Sequence, residues 1–183
     1  MRLGAQAFII HLELVKELLE GLVDGSYNPI VIEFPLFVLS GAALISLQEI
    51  SRKVLSEIDK HNGLDVIHLV SRITTPHAFA GLLLSYPAIY YTEFLQSKAV
   101  DKVVDVYKVQ TSGSELKTVM QFSAPPEYRD IVTQQLDKVL EVWKARIGRI
   151  PPSLQQIWQI YAGQTSCTFD VEIVSSRVPI LTL

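Results

Sequence analysis

Ile30, Val31 and Ile32 follow one another with no polar residue between them, then come Glu33 and Phe34, and Pro35 closes the run. A strand that alternates apolar and polar residues buries one face, whereas an unbroken β-branched run suits a strand covered on both. Such a strand needs helices on each side, so its neighbours in the chain decide the fold. Upstream, Leu14, Val15, Leu18, Leu19 and Leu22 recur at helical spacing over 8–23, with Glu13, Lys16, Glu17 and Glu20 on the other face. The cluster from Asp24 to Pro29 is a turn. Downstream of Ser40 and Gly41, the positions Leu44, Leu47, Ile50, Val54, Leu55 and Ile58 predict a second helix, ending at His61-Asn62-Gly63.

The pattern repeats. A strand is predicted over 66–70, a helix over 76–85 behind the hydroxyl cap Thr74-Thr75 and Pro76, and a strand over 88–91. Strands joined by helices through short connections imply right-handed crossovers and a parallel sheet. The second half differs in kind. Segments 103–110 and 116–122 flank Thr111-Ser112-Gly113-Ser114 and predict an antiparallel hairpin. A long helix follows over 126–147, carrying Ile131, Val132, Leu136, Val139, Leu140 and Trp143 on one stripe. Ile150-Pro151-Pro152 breaks the chain, and Ser153 with Gln156 forms a capping box for a short helix that Gly163 ends. The last strand, 167–174, alternates Cys167, Phe169, Val171 and Ile173 with Thr168, Asp170 and Glu172, which predicts one buried face. The expectation is α/β: a single three-layer domain over 1–183, with one mixed sheet of about six strands, parallel in the first half and antiparallel in the hairpin and last strand.

Composition removes whole classes of function. Of the 183 residues, 49% are hydrophobic and 19% charged, which is ample for a core and rules out intrinsic disorder. A net charge of −3 gives no broad basic footprint, so no nucleic-acid partner is expected, and Lys144, Arg146 and Arg149 complement the end of the long helix. The uncharged stretch 73–92 is interrupted by Pro76, His77, Ser85, Tyr86 and Pro87, so no membrane partner is expected either. His11, Glu13 and Lys16 interrupt the first apolar stretch, unlike a signal peptide. The lone Cys167 has no partner for a disulfide or a zinc set and reads as core, which fits a soluble protein of a reducing, cytoplasmic or nuclear compartment. Signatures for a P-loop, a dinucleotide site, a serine elbow, a zincin and an EF-hand are all missing, and no metal or cofactor is called for.

Candidate site residues therefore come from topology. In open parallel sheets, ligands lie outside the carboxyl ends of the strands. Those ends carry Glu33 with Ser40 and Gly41; Ser71, Arg72, Thr74, Thr75 and His77; and Tyr90, Tyr91, Thr92 and Glu93. Arg72, Thr74, Thr75 and Ser40 at helix starts would suit an anionic ligand, and Glu33 with His77 would make an acid–base pair. The plainer reading is that a threonine caps its helix, Arg72 pairs with a surface carboxylate, and Glu33 lies at a sheet end. His61 complements a helix dipole, and His11 and His68 have no evident partner. The apolar tail 178–183 either docks on its own sheet or serves as a strand-addition ligand.

Three stretches carry a resemblance. Gly81-Leu82-Leu83-Leu84-Ser85-Tyr86-Pro87 leads into a strand, Phe122-Ser123-Ala124-Pro125 precedes the helix with Trp143, and Glu172-Ile173-Val174 is followed by Pro179 and a leucine end. In these the chain resembles the uncharacterised eukaryotic family typified by the human chromosome 1 open reading frame 74 protein. That family has an Asp-bearing strand in its N-terminal part, and this chain departs from it by offering Glu33 in Ile-Val-Ile-Glu-Phe instead, so no acidic role carries over and the resemblance implies no activity. Two functions stay open. One is a non-catalytic interaction or scaffold domain with a protein partner. The other is a small-molecule binder or enzyme taking an anionic ligand at the strand ends.

Overall fold

A computed structural model describes residues 2–3, 6–7, 12–60, 76–92, 98–112, 117–148 and 168–182. The chain divides into two compact units, one of Met1–Ala99 with Leu181–Leu183 and one of Val100–Ile180.

The first unit opens with a two-residue ladder, β1 (Arg2–Leu3) against β2 (Gln6–Ala7). Helix α1 (Leu12–Asp24) follows and buries Val15, Leu19 and Leu22. Its end is closed from two directions: the Gly21 carbonyl accepts from the Tyr27 N–H at 2.8 Å, and the Leu22 carbonyl accepts from Gln48 Nε2 at 3.0 Å. Gly25 takes φ +83°, a conformation that side chains disfavour, and lets the chain reverse. Strand β3 (Ile30–Glu33) then runs parallel to β5 (Ala88–Tyr91), with Ile30 opposite Ala88 and Glu33 opposite Tyr91. The other edge of β3 is taken by β4 (Val38–Leu39), antiparallel, so the sheet order is β4-β3-β5. Helix α2 (Gly41–Lys60) buries Ala43, Leu47, Val54 and Ile58 at helical spacing, and α3 (Pro76–Leu83) buries Phe79 and Leu82. These side chains join those of α1, Val31, Ile89 and Tyr91 in one core.

The second unit is built on β6 (Lys98–Thr111) and β7 (Thr118–Ala124), an antiparallel pair with Asp105 opposite Ala124 and a bulge at Val109/Gln110. Along β6 the residues Asp105, Tyr107, Val109 and Thr111 are buried, at a spacing of two that points them to one face. A 3-10 turn (Pro126–Tyr128) leads into α4 (Arg129–Ile147), whose buried stripe is Val132, Leu136, Val139 and Leu140. On the outer edge of β6 lies β8 (Phe169–Thr182), giving the order β7-β6-β8. Lys108 meets Glu172, Asp105 meets Ser175 and Asp101 meets Arg177, so the two strands run in opposite directions.

Three expectations are corrected. There is no single mixed sheet of about six strands among the described residues but two sheets of three, because the first is covered by α1, α2 and α3 while the hairpin buries its face with α4. The turn after Pro35 returns as a short antiparallel strand, β4, where only a helix start was expected. The last strand does not bury one face: Val171, Ile173 and Val174 are 39%, 36% and 50% exposed, since an edge strand has a neighbour on one side only. The strand also runs on through the tail, to Thr182. The strand expected at 66–70 and the helix expected at 153–163 lie outside the described residues.

Candidate functional site

At the carboxyl ends of β3 and β5 the chain makes an open cleft of about 410 Å³, within the range of small-ligand and side-chain pockets. Its geometry starts with Glu33. The backbone carbonyl of Glu33 accepts from the Phe37 N–H at 2.8 Å, closing a turn over 34–37 that contains a cis Phe34–Pro35 peptide. Phe37 sits at φ +61°, a left-handed conformation that costs a non-glycine residue roughly 1–2 kcal/mol. The surrounding rings hold it there: Phe34, Phe37 and Tyr90 lie 5.5 to 6.0 Å apart in tilted and edge-on arrangements. Beyond the turn, the Ser40 N–H donates to the Val31 carbonyl at 3.0 Å, which docks the start of α2 on β3.

Ser40 is the N-cap of α2. Its Oγ accepts from the Ala43 N–H at 3.1 Å, and its carbonyl accepts from the Leu44 N–H at 3.2 Å. The first-turn N–H groups of Gly41 and Ala42 have no acceptor inside the helix, and Ala42 lines the cleft. Ser40 and Ser46 supply hydroxyls to the wall, while Phe34, Leu36 and Tyr91 supply apolar surface. Among the described residues that line it, Glu33 is the only charged side chain. Of the apolar side chains Phe34, Leu36 and Tyr91, Leu36 is the one largely open to solvent, at 64% exposed.

The cleft thus brings together Glu33, Ser40 and Tyr91 from the strand-end candidates. His77 stands in the first turn of α3, exposed, and is not part of the lining. Arg72, Thr74 and Thr75 lie outside the described residues, as do His11, His61, His68 and Cys167. Among the described residues no three His, Cys, Asp or Glu side chains gather in a way that would hold a metal ion. Nor is any described helix long and apolar enough to cross a membrane.

A polar cluster that sequence reasoning missed lies in the second unit. The Asp105 side chain is sealed from solvent in a mostly apolar strand. Arg129 donates to both its oxygens, from Nε at 2.6 Å and from Nη2 at 2.8 Å, and Ser175 Oγ donates to Oδ1 at 2.7 Å. The Arg129 bonds, more than the opposing burial, hold the Asp105 carboxyl below the usual carboxylate range. An acid held ionised in this way, with Ser175 as its donor, is no base for that hydroxyl. The cluster pins β6, α4 and β8 together. Its one signal in the sequence is an Asp standing between Val104 and Val106.

No family model matches this sequence, and no curated protein or solved structure shows significant similarity to it.

Proposed function

We propose that this chain is an interaction domain that takes an apolar segment of a protein partner at the β3–β4–α2 cleft. The observation that supports the reading is the cleft wall: Phe34, Leu36 and Tyr91 give it apolar surface, and Leu36 is 64% exposed there. A single exposed apolar residue is ordinary on any surface, whereas an apolar-walled concavity is the usual form of a binding site. Glu33 within the cleft favours a partner segment that also carries a lysine or arginine.

The alternative is an anionic small ligand held by Arg72, Thr74, Thr75 and Ser40. Against it stands the carboxylate of Glu33, which repels an anion from the same cleft. Selection of displayed peptides against the purified chain separates the two readings. Apolar peptides with a basic residue are expected, losing binding to Leu36→Asp and weakening with Glu33→Gln. Peptides that bind Leu36→Asp as well as the wild type would sink the proposal. A thermal shift with phosphorylated compounds that disappears in Arg72→Ala would establish the alternative.

A further inference from the structure

Two polar side chains in the cleft at the ends of β3 and β5 are answered by no other group there. Glu33 and Tyr91 stand opposite each other in the parallel pair. Each comes two residues after a side chain that enters the core, Val31 and Ile89, so both project from the same face of the sheet. There they line the cleft together. Among the described residues the Glu33 carboxylate has neither an ion pair nor a hydrogen-bond donor, and the Tyr91 hydroxyl has no partner. Tyr91 is 6% exposed and its hydroxyl is not sealed, so its polar end is open to the cleft it lines.

A half-buried carboxylate beside apolar walls calls for a cation. The start of α2, in the same cleft, calls for the opposite. Ser40 caps it, and the N–H groups of Gly41 and Ala42 have no acceptor inside the helix. The approach to Gly41 is clear, since a Cβ built there would meet no atom within 4 Å. These groups form the positive end of a helix dipole, so a cation alone satisfies half of the site and is opposed by the rest. A lysine or arginine side chain would answer Glu33 but carries donors only. The first residue of a peptide brings both kinds of group. Its α-ammonium donates three hydrogen bonds, and its own carbonyl oxygen is held beside the ammonium across a single Cα.

We propose that the cleft binds the N-terminal residue of a partner chain, apolar in its side chain, with the α-ammonium on Glu33 and Tyr91 and the first carbonyl oxygen on the leading N–H groups of α2. This rests on the docking reading above and narrows its basic group to the end of the partner chain. Ser46 lines the same wall and offers a third acceptor to the ammonium, while Phe34 and Leu36 give the first side chain an apolar surface. About 410 Å³ is the size of a small-molecule pocket, which takes a chain end more readily than a whole segment.

Binding of short synthetic peptides to the full chain, followed by fluorescence polarisation of a dye at the peptide's carboxyl end, tests this up to about 100 µM protein, a hundredfold above a micromolar dissociation constant. Peptides that begin with leucine or phenylalanine are expected to bind. Acetylating the same α-amino group is expected to weaken them about tenfold or more, the scale of one hydrogen bond to a charged group, and an internal lysine is expected not to restore the acetylated peptide. Glu33→Gln should bring the free peptide down to the level of the acetylated one, and Tyr91→Phe should weaken it a few-fold while keeping the ring in the core. If either variant fails to fold, the free and acetylated peptides on the wild type carry the test. Free peptides that do not bind, an acetylated peptide that binds as well as the free one, or an acetylated lysine peptide that matches it would each overturn the proposal. In the last two cases loss of binding in Leu36→Asp leaves the docking reading standing, whereas binding indifferent to Leu36→Asp sinks both.

Discussion

Replacing Tyr107 by phenylalanine should make the protein more stable. Tyr107 is completely buried on β6, its ring stacked on Phe122 at 4.8 Å with the planes 4° apart. Its hydroxyl is sealed from water without a hydrogen-bond partner, the Thr133 side chain coming near without closing one. Burial, with the Asp105 charge adding to it, pushes the phenol above its ordinary value, as expected for a group whose ionised form has nothing to receive it. A buried polar group left unsatisfied costs roughly 1–3 kcal/mol. Deleting the oxygen also forfeits a few dispersion contacts at ~0.1–0.2 kcal/mol each, about 0.5 kcal/mol together. The ring, its stack and its rotamer remain. The net expectation is a gain of about 1 kcal/mol, read from urea unfolding followed by tryptophan fluorescence, since Trp143 lies on α4 of the same unit. Thr133→Val serves as the companion variant and should leave that gain unchanged. A loss of about 1 kcal/mol or more in Tyr107→Phe, removed when Thr133 is also replaced, would refute the reasoning by revealing a hydrogen bond between the two hydroxyls.

Arg129→Met should destabilise the protein at neutral pH by leaving the Asp105 carboxylate sealed with Ser175 alone. The folded pKa of Asp105 is depressed, so its stabilisation is present above the unfolded value near ~3.9 and is lost as pH falls through the folded one. Urea titrations should therefore show the gap between wild type and variant wide at pH 7 and closing toward pH 3; a gap independent of pH would remove Asp105 from the explanation. Leu47→Ala, at a fully buried position of α2, should cost about 2–5 kcal/mol by the same assay, and a cost below 1 would mean that the core there collapses freely. Ser40→Ala should cost about 1 kcal/mol through loss of the α2 cap while Ser40→Asp keeps most of it, and equal stability of both with wild type would deny the cap its role.

What could be read from the sequence was local. The unbroken β-branched run of β3 and the apolar stripe of α2 are each contained in one segment, and each element lies where its pattern puts it. The strand-end rule reached Glu33, Ser40 and Tyr91 because they close β3, cap α2 and end β5, positions set by the same local signals. Strand β4 stayed invisible because it is two residues long and its turn depends on Phe37 in a left-handed conformation, which sequence signals only when glycine or asparagine stands there. The number of sheets was not legible either. Periodicity tells which faces of a strand are covered, not which strands bond to one another, so a separate second sheet looked like the continuation of the first.

Asp105 and β8 show where local reading ends. The partners of Asp105 are 24 and 70 residues away, so no window of sequence contains the cluster. The alternation in β8 was read as one buried face, yet the same alternation is what a strand needs to present apolar side chains at an edge. The two are connected. Strand β8 is held from one side by Asp105 with Arg129 through Ser175, by Asp101 through Arg177 and by Lys108 through Glu172. Two of these three tethers, Ser175 and Arg177, lie on residues between those whose backbone groups bond to β6, so the side-chain bonds reinforce the backbone ladder that begins at Ser112 and Thr168.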